Sequence, residues 1–223
     1  MKRILKITII SISIFITSFA QPSASIYFTT AFPMGEFKDF TASTGFGSTT
    51  EYFFFTPSPK TPYGVGFNFS YVAYGLRFVN DPYDNELSLS FNRANNFASM
   101  HILFQVGSHS GSVRPYFETL FGGSYIFSNT DIGYDYYGPV SLWIDDWAWS
   151  YGAGVGLKFL SLGDAYFNRG SVYIDLKVRY LFGTTTSYLD RESIIFYYDT
   201  IEYSLIESKT NMLTASIGLY FFF

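Results

Sequence analysis

The sequence predicts an all-β protein, an eight-stranded antiparallel up-and-down transmembrane β-barrel. Three observations lead there. Apolar and polar residues alternate in segment after segment, each as long as the ~9–11 residues a tilted strand needs to cross a bilayer. Aromatic residues make up 22% of the 223, with 26 Phe and 20 Tyr, more rings than a soluble core readily hides, because buried Tyr hydroxyls need partners. The sequence closes on an alternating strand, Ser216-Ile217-Gly218-Leu219-Tyr220-Phe221-Phe222-Phe223. Burying that end would desolvate a carboxylate, and exposing it would put three Phe in water. A strand with one face in lipid and its end at the interface meets neither difficulty.

Residues 1–20 are expected to be a signal peptide rather than part of the fold. Lys2, Arg3 and Lys6 start it, Ile7 to Phe19 is apolar, and Ser18-Phe19-Ala20 offers a small-x-small cleavage site. Residues 21–223 are then one barrel domain. Removing three bases leaves 11 Lys+Arg against 18 Asp+Glu, a net charge of −7, which argues against nucleic acid as a partner. There is no Cys, so neither a disulfide staple nor a lipidated Cys anchor is expected. A mean hydropathy of +0.14 suits a wall in which only alternate residues face lipid. Beyond residue 20 no apolar run reaches ~18 residues, which excludes spanning helices.

The alternation divides into eight strands, near 24–34, 44–56, 62–77, 97–108, 113–128, 146–161, 170–187 and 208–223. Short links (57–61, 108–112, 161–169) alternate with a second set (35–43, 78–96, 129–145, 188–207), three of them long. Short turns on one side and long loops on the other suit periplasmic turns and extracellular loops, with both termini periplasmic. Parity then assigns faces. In the seventh segment Val172, Ile174, Leu176 and Val178 alternate with Tyr173, Asp175, Lys177 and Arg179. In the fifth, Phe117, Phe121, Tyr125 and Phe127 alternate with Arg114, Tyr116, Glu118 and Ser124. The rule places Glu51, His101, Arg114, Glu118, Lys158, Asp175, Lys177 and Arg179 in the lumen, a near-neutral set, as a closed interior requires. Gly45 and Gly47, Gly64 and Gly66, and Gly152, Gly154 and Gly156 are spaced by two, so aromatic rings from adjacent strands are expected to fold over them.

Several stretches resemble a known family in order and spacing. Phe32-Pro33-Met34-Gly35-Glu36-Phe37-Lys38-Asp39 with Thr44-Gly45-Phe46-Gly47 is similar to the opening of the small outer-membrane β-barrel family common in Bacteroidota-type bacteria. Arg114-Pro115-Tyr116 with Gly122-Gly123, Tyr151 to Gly156, Arg179-Tyr180-Leu181-Phe182-Gly183 and Ser208 to Leu213 are similar to its later strands. The closing strand resembles the sorting signature of bacterial outer-membrane barrels, with Ser216, Gly218, Phe221 and Phe223 as its marked positions. The likeness spans roughly residues 25–223. It implies a barrel of the OmpX, OmpA-transmembrane or OmpW type in the outer membrane. Its expected partners are outer-membrane lipid, lipopolysaccharide and, through the last strand, the barrel-assembly machinery. No activity follows from it.

Chemistry is sparse. His101 and Ser99 share a face, yet no third orienting group or oxyanion donor accompanies them, so no catalytic residue is expected. His109 falls in a turn between Ser108 and Ser110. Fourteen of the 18 acids fall in the long-link set or at its edge: Glu36, Asp39, Asp81, Asp84, Glu86, Asp131, Asp135, Asp145, Asp146, Asp190, Glu192, Asp199, Glu202 and Glu207. With Tyr134, Tyr136, Tyr137, Trp143 and Trp147 they suit a solvated surface or an unspecified surface ligand. Asp131 to Asp135 lacks the spacing of a calcium loop, so neither a metal site nor a cofactor is expected. Residues 193–206 also alternate, which predicts that the last two strands continue outside the membrane as a twisted hairpin. The leading expectation is a non-enzymatic structural or surface-interaction protein with a packed lumen. An OmpW-like channel for small or hydrophobic molecules is the alternative, and an enzyme comes third.

Overall fold

The computed structural model describes residues 21–41, 44–80, 89–134, 140–189, 195–196 and 201–223. The expected signal peptide, residues 1–20, lies outside the described residues, as do Asp81, Asp84, Glu86, Asp135, Asp190, Glu192 and Asp199.

Val-, Ile-, Phe- and Tyr-rich alternation favours extended chain, and the chain forms β1 (Ser23–Pro33), β2 (Gly45–Phe55), β3 (Tyr63–Asn80), β4 (Leu89–Gly107), β5 (Val113–Tyr134), β6 (Val140–Leu162) and β7 (Val172–Gly183). A short helix α1 (Glu36–Thr41) sits between β1 and β2. After β7 come β8 (Thr185–Leu189), β9 (Ile195–Phe196), β10 (Ile201–Glu202), β11 (Leu205–Lys209) and β12 (Met212–Phe222). Strands β1 to β7 and β12 close an antiparallel barrel in which sequence neighbours pair and β12 seals against both β7 and β1. The eight-stranded up-and-down barrel is therefore the fold.

The register fixes its shape. Stepping across paired residues from Ser23 leads to Phe53, Gly66, Leu103, Leu120, Gly152, Leu181 and Met212, and returns to β1 at Pro33, ten residues on. A shear of that size on eight strands tilts them by about 40° and leaves an interior just wide enough for side chains. Outward residues form an apolar wall. Ile26, Phe28, Phe46, Phe69, Ile102, Phe121, Val155 and Ile217 are each half exposed or more, while residues of the opposite parity are buried. Such a wall is suited to hydrocarbon and costly in water.

Strand limits differ from the alternation reading at the loop end, the end opposite the start of β1. Strand β4 begins at Leu89 rather than 97, β5 runs to Tyr134, and β6 begins at Val140 rather than 146. Antiparallel hydrogen bonding continues there through polar stretches such as Asn92 to Asn96, because a strand pair in water needs no apolar face. Asp131, Asp145 and Asp146 thus lie on strands, not loops. The seventh segment breaks at Thr184, where β8 leaves the barrel and pairs with β11 (Thr185 with Lys209 through Leu189 with Leu205), and β9 pairs with β10 beyond. The first long-set link carries a helix, entered through Gly35 at φ 59°, a left-handed conformation that favours glycine.

Of the spaced glycines, Gly156 is the one under a ring. A Cβ there would lie 2.3 Å from the Tyr116 ring of the adjacent strand. At Gly47 and Gly66 the close neighbours are the Tyr71 and Tyr52 carbonyls, so strand approach, not ring packing, occupies that space. Among the described residues no helix is long and apolar enough to cross a membrane.

Candidate functional site

The lumen is the place where polar chemistry concentrates, and it is built in layers set by register. All eight residues placed there by parity are inside, none more than 4% exposed. The structure brings five of them into one contiguous ionic network in the middle of the barrel. Glu51 on β2 accepts from Lys177 Nζ at 2.7 Å and from Arg179 Nη2, and also from Tyr27 (3.3 Å), Asn68 (3.3 Å) and Ser25 (3.4 Å). Arg179 Nε reaches Glu118 Oε1 at 2.6 Å. Asp175 accepts from the hydroxyls of Tyr27 (2.8 Å) and Tyr116 (2.7 Å) and lies 3.9 Å from Lys177. Neighbouring β7 positions of one parity supply Asp175, Lys177 and Arg179, so the strand period itself stacks them.

The remaining three lie apart from those ion pairs. Lys158 has its ammonium over the rings of Tyr220 (3.6 Å), Tyr116 (4.7 Å) and Phe53 (5.8 Å) and donates to Gln105 Oε1 at 2.9 Å. Desolvated cation–π contacts are worth about 2 kcal/mol, which offsets part of its burial. Arg114 closes the turn end. It stacks over Tyr173 and Phe222 and donates to Asn168 Oδ1 (2.6 Å), Ala165 O (3.0 Å) and Gly111 O (3.1 Å), stapling two turns together. None of the ion pairs among the described residues includes either cation. His101 belongs to the layer above, where its Nε2 meets Ser150 Oγ at 2.6 Å and Ser150 meets Ser124 at 2.8 Å. Ser99 is not its partner, so the pair weighed as catalytic does not form.

That upper layer is made of short side chains. Ser216, Thr29, Thr49 and Ser70 form a chain of hydroxyl contacts of 2.8–2.9 Å across β12, β1, β2 and β3. Ser99 Oγ and His101 Nδ1 are buried there without a protein hydrogen-bond partner; groups of this kind are normally satisfied by ordered water. Above it an aromatic lid closes the loop end. Phe37 of α1, fully buried, packs edge-on against Tyr74 (5.8 Å) and Tyr188 (5.6 Å). The link bearing it is tied down by Met34 N to Asn211 O (2.9 Å) and by Lys209 N to Glu36 Oε2 (3.3 Å).

Sequence reasoning missed the lid, because a lone Phe in a polar link has no periodic signal. It also missed Asn168 and Gln105 as partners of the unpaired cations. The partnership of Tyr27 with Asp175 could have been found, since Tyr27 shares inward parity with Ser25 and Thr29. In the closing strand Ser216 and Gly218 lie on the lumen-facing parity, and Phe221 and Phe223 on the outward one. Among the described residues no three His, Asp or Glu converge as metal ligands.

No protein-family model and no curated protein sequence matches the chain. Solved structures do resemble it in fold. Ail, the attachment invasion locus protein of Yersinia pestis, in complex with the heparin analogue sucrose octasulfate, is 15% identical, with 91% of this chain and 97% of that chain covered and a TM-score of 0.42. The N-terminal β-barrel domain of Pseudomonas aeruginosa OprF is 15% identical over 91% and 98%, with a TM-score of 0.37. Neisserial surface protein A is 13% identical over 91% and 96%, with a TM-score of 0.36. These neighbours are small outer-membrane β-barrels.

Proposed function

We propose that the protein is a non-enzymatic integral barrel of a bacterial outer membrane, with its turn end and both termini periplasmic. Its lumen is closed, and its role is structural or one of surface interaction through the strand extensions and links of the loop end. Outer-membrane lipid and lipopolysaccharide surround the wall. The barrel-assembly machinery engages the closing strand through Ser216, Gly218, Phe221 and Phe223. The observation that carries the closed-lumen reading is the stack itself: the Arg114 staple, the ionic network, the hydroxyl layer and the Phe37 lid follow one another along the axis. Planar-bilayer recording of purified protein tests it. Silence is expected, and steady single-channel conductance would replace this reading with transport.

The transport reading, an OmpW-like path for small molecules, is favoured by one feature. The hydroxyl layer is lined by short side chains and holds polar atoms that call for water.

A further inference from the structure

The link between β6 and β7 carries two aromatic rings more exposed than any other large apolar side chain among the described residues, Tyr166 at 79% and Phe167 at 75%. A loose loop could fold such rings away, but this one is held open. Asp164 Oδ1 accepts the N–H groups of both Tyr166 (2.6 Å) and Phe167 (3.1 Å). Ser171 Oγ bonds Asp164 O (3.1 Å) and Phe167 O (2.9 Å). Asn168 is clamped on the inside by Arg114 and by Gln21 (2.9 Å). Gly163 and Gly170 turn the chain at φ 96° and 75°. The inner side of the turn is thus spent on closing the barrel, its backbone is held, and the two rings are left exposed.

The ring pair continues an apolar surface. Leu162, directly before the turn, and Phe223 are 65% and 59% exposed; Phe223 has the outward parity of its strand, and the bulge between Leu160 and Leu162 sets Leu162 opposite outward-facing Val172. Two aromatic side chains bring roughly 300–400 Å² of surface, well short of the roughly 800 Å² per partner of a stable protein interface. It is ample for an interfacial anchor, where Tyr and Phe sit at headgroup level with apolar rings toward the acyl chains. We propose that Tyr166 and Phe167 form a preorganised lipid anchor, inserted into the headgroup–acyl boundary of the leaflet at the turn end. The anchor fixes the depth of the barrel at the same turn that Arg114 uses to close it.

This rests on the reading of the outer wall as lipid-facing, and the test separates the two. The chain has no Cys, so Phe167→Cys supplies a unique thiol for a nitroxide label, with Tyr166→Cys as a second variant in case the first misfolds. Labels at Val155 in mid-wall and at Lys60 in another turn serve as references. In phosphatidylethanolamine–phosphatidylglycerol vesicles, collision with oxygen reports lipid and collision with a water-soluble nickel chelate reports water. The expected oxygen-to-nickel ratio at 167 is several-fold above that at 60 and approaches that at 155. A ratio at 167 equal to that at 60, with 155 still lipid-like, overturns the anchor alone. A water-like ratio at 155 overturns the membrane-wall reading. A label at 167 shielded from both reagents in native membranes but water-exposed in vesicles overturns the anchor in favour of a protein partner.

Discussion

Replacing Glu51 with Gln removes the charge that serves two cations at once. The lumen holds three acids (Glu51, Glu118, Asp175) and four bases (Arg114, Lys158, Lys177, Arg179), so the change raises its formal excess from +1 to +2. Arg179 keeps Glu118 at 2.6 Å, but Lys177 is left with Asp175 at 3.9 Å, a carboxylate already engaged by two Tyr hydroxyls. One buried cation therefore loses its close partner, a loss that costs about 3–5 kcal/mol. Glu118→Gln leaves Arg179 paired with Glu51 and removes one charge-assisted hydrogen bond, which costs about 1.5–3 kcal/mol. The predicted order is thus Glu51→Gln more damaging than Glu118→Gln. Reversible urea unfolding in phospholipid vesicles, followed by Trp fluorescence, reads both changes. Because the network is enclosed, the difference should hardly move with salt. A Glu51→Gln change under about 1 kcal/mol, well below the cost of an uncompensated buried charge, or the reverse order, would refute the account of the network as the barrel's internal brace.

Four further outcomes follow from the same geometry. Lys158→Met together with Gln105→Leu, so that no buried amide is stranded, should be neutral or mildly stabilising in the same assay, since it equalises acids and bases while an apolar chain of similar length stays among Tyr220, Tyr116 and Phe53; a loss of several kcal/mol would contradict that. Phe37→Ala should loosen the lid, giving faster amide exchange over 34–41 with planar bilayers still silent, since the ionic network and the Arg114 staple remain. Unchanged exchange would mean that Tyr74 and Tyr188 close the mouth without it. Gly156→Ala places a Cβ against the Tyr116 ring and should cost about 1–3 kcal/mol by overpacking, with the fold retained on heat-modifiability gels. Asp146 lies above the apolar band. Partial burial raises its carboxyl, but the N–H groups of Ser187 (2.8 Å) and Trp147 (2.7 Å) outweigh this and hold it below the ordinary Asp range. Its support for β8 is therefore present above about pH 4 and lost as pH falls further. Protection of the Ser187 amide, its exchange rate relative to the intrinsic rate at each pH, should fall only in that acidic window, and Asp146→Asn should abolish this pH dependence.

How much of this was legible beforehand depends on whether one face of a strand met hydrocarbon. Where it did, parity alone sorted wall from lumen, as for Val172 to Phe182, because side chains alternate along a strand wherever no bulge shifts the register. Where strands rise into water the constraint disappears. Asn92, Asn95 and Asn96 carry no apolar alternation, and β4 continues through them by backbone pairing, with the Asn95 and Asn96 side chains also accepting from Ser128 and Tyr71. Parity likewise identified the lumenal charges but not their partners, which depend on a shear that no single strand encodes. Glu51 and Lys177 are 126 residues apart in sequence and meet only after the barrel has closed.

Inward side-chain length changes along the barrel axis. Toward the turn end, long inward residues (Lys158, Lys177, Arg179, Tyr27, Tyr116, Tyr220) can span an eight-stranded interior and touch across it. Nearer the loop end the inward positions of β1, β2, β3, β4 and β6 are Thr29, Ala31, Thr49, Ser70, Ser99 and Ser150, whose side chains stop close to the wall. Beyond that ring of short side chains Val72, Tyr74, Phe97, Ile126, Leu181 and Met212 fill the interior from the wall, and Phe37 with Tyr188 caps them from the links. The consequence is an asymmetry of stability. The turn end is closed by strand residues and tight turns that open only when the barrel opens. The loop end is capped last by Phe37 on a short link, and a segment with so few anchors opens locally at lower free energy than the fold as a whole.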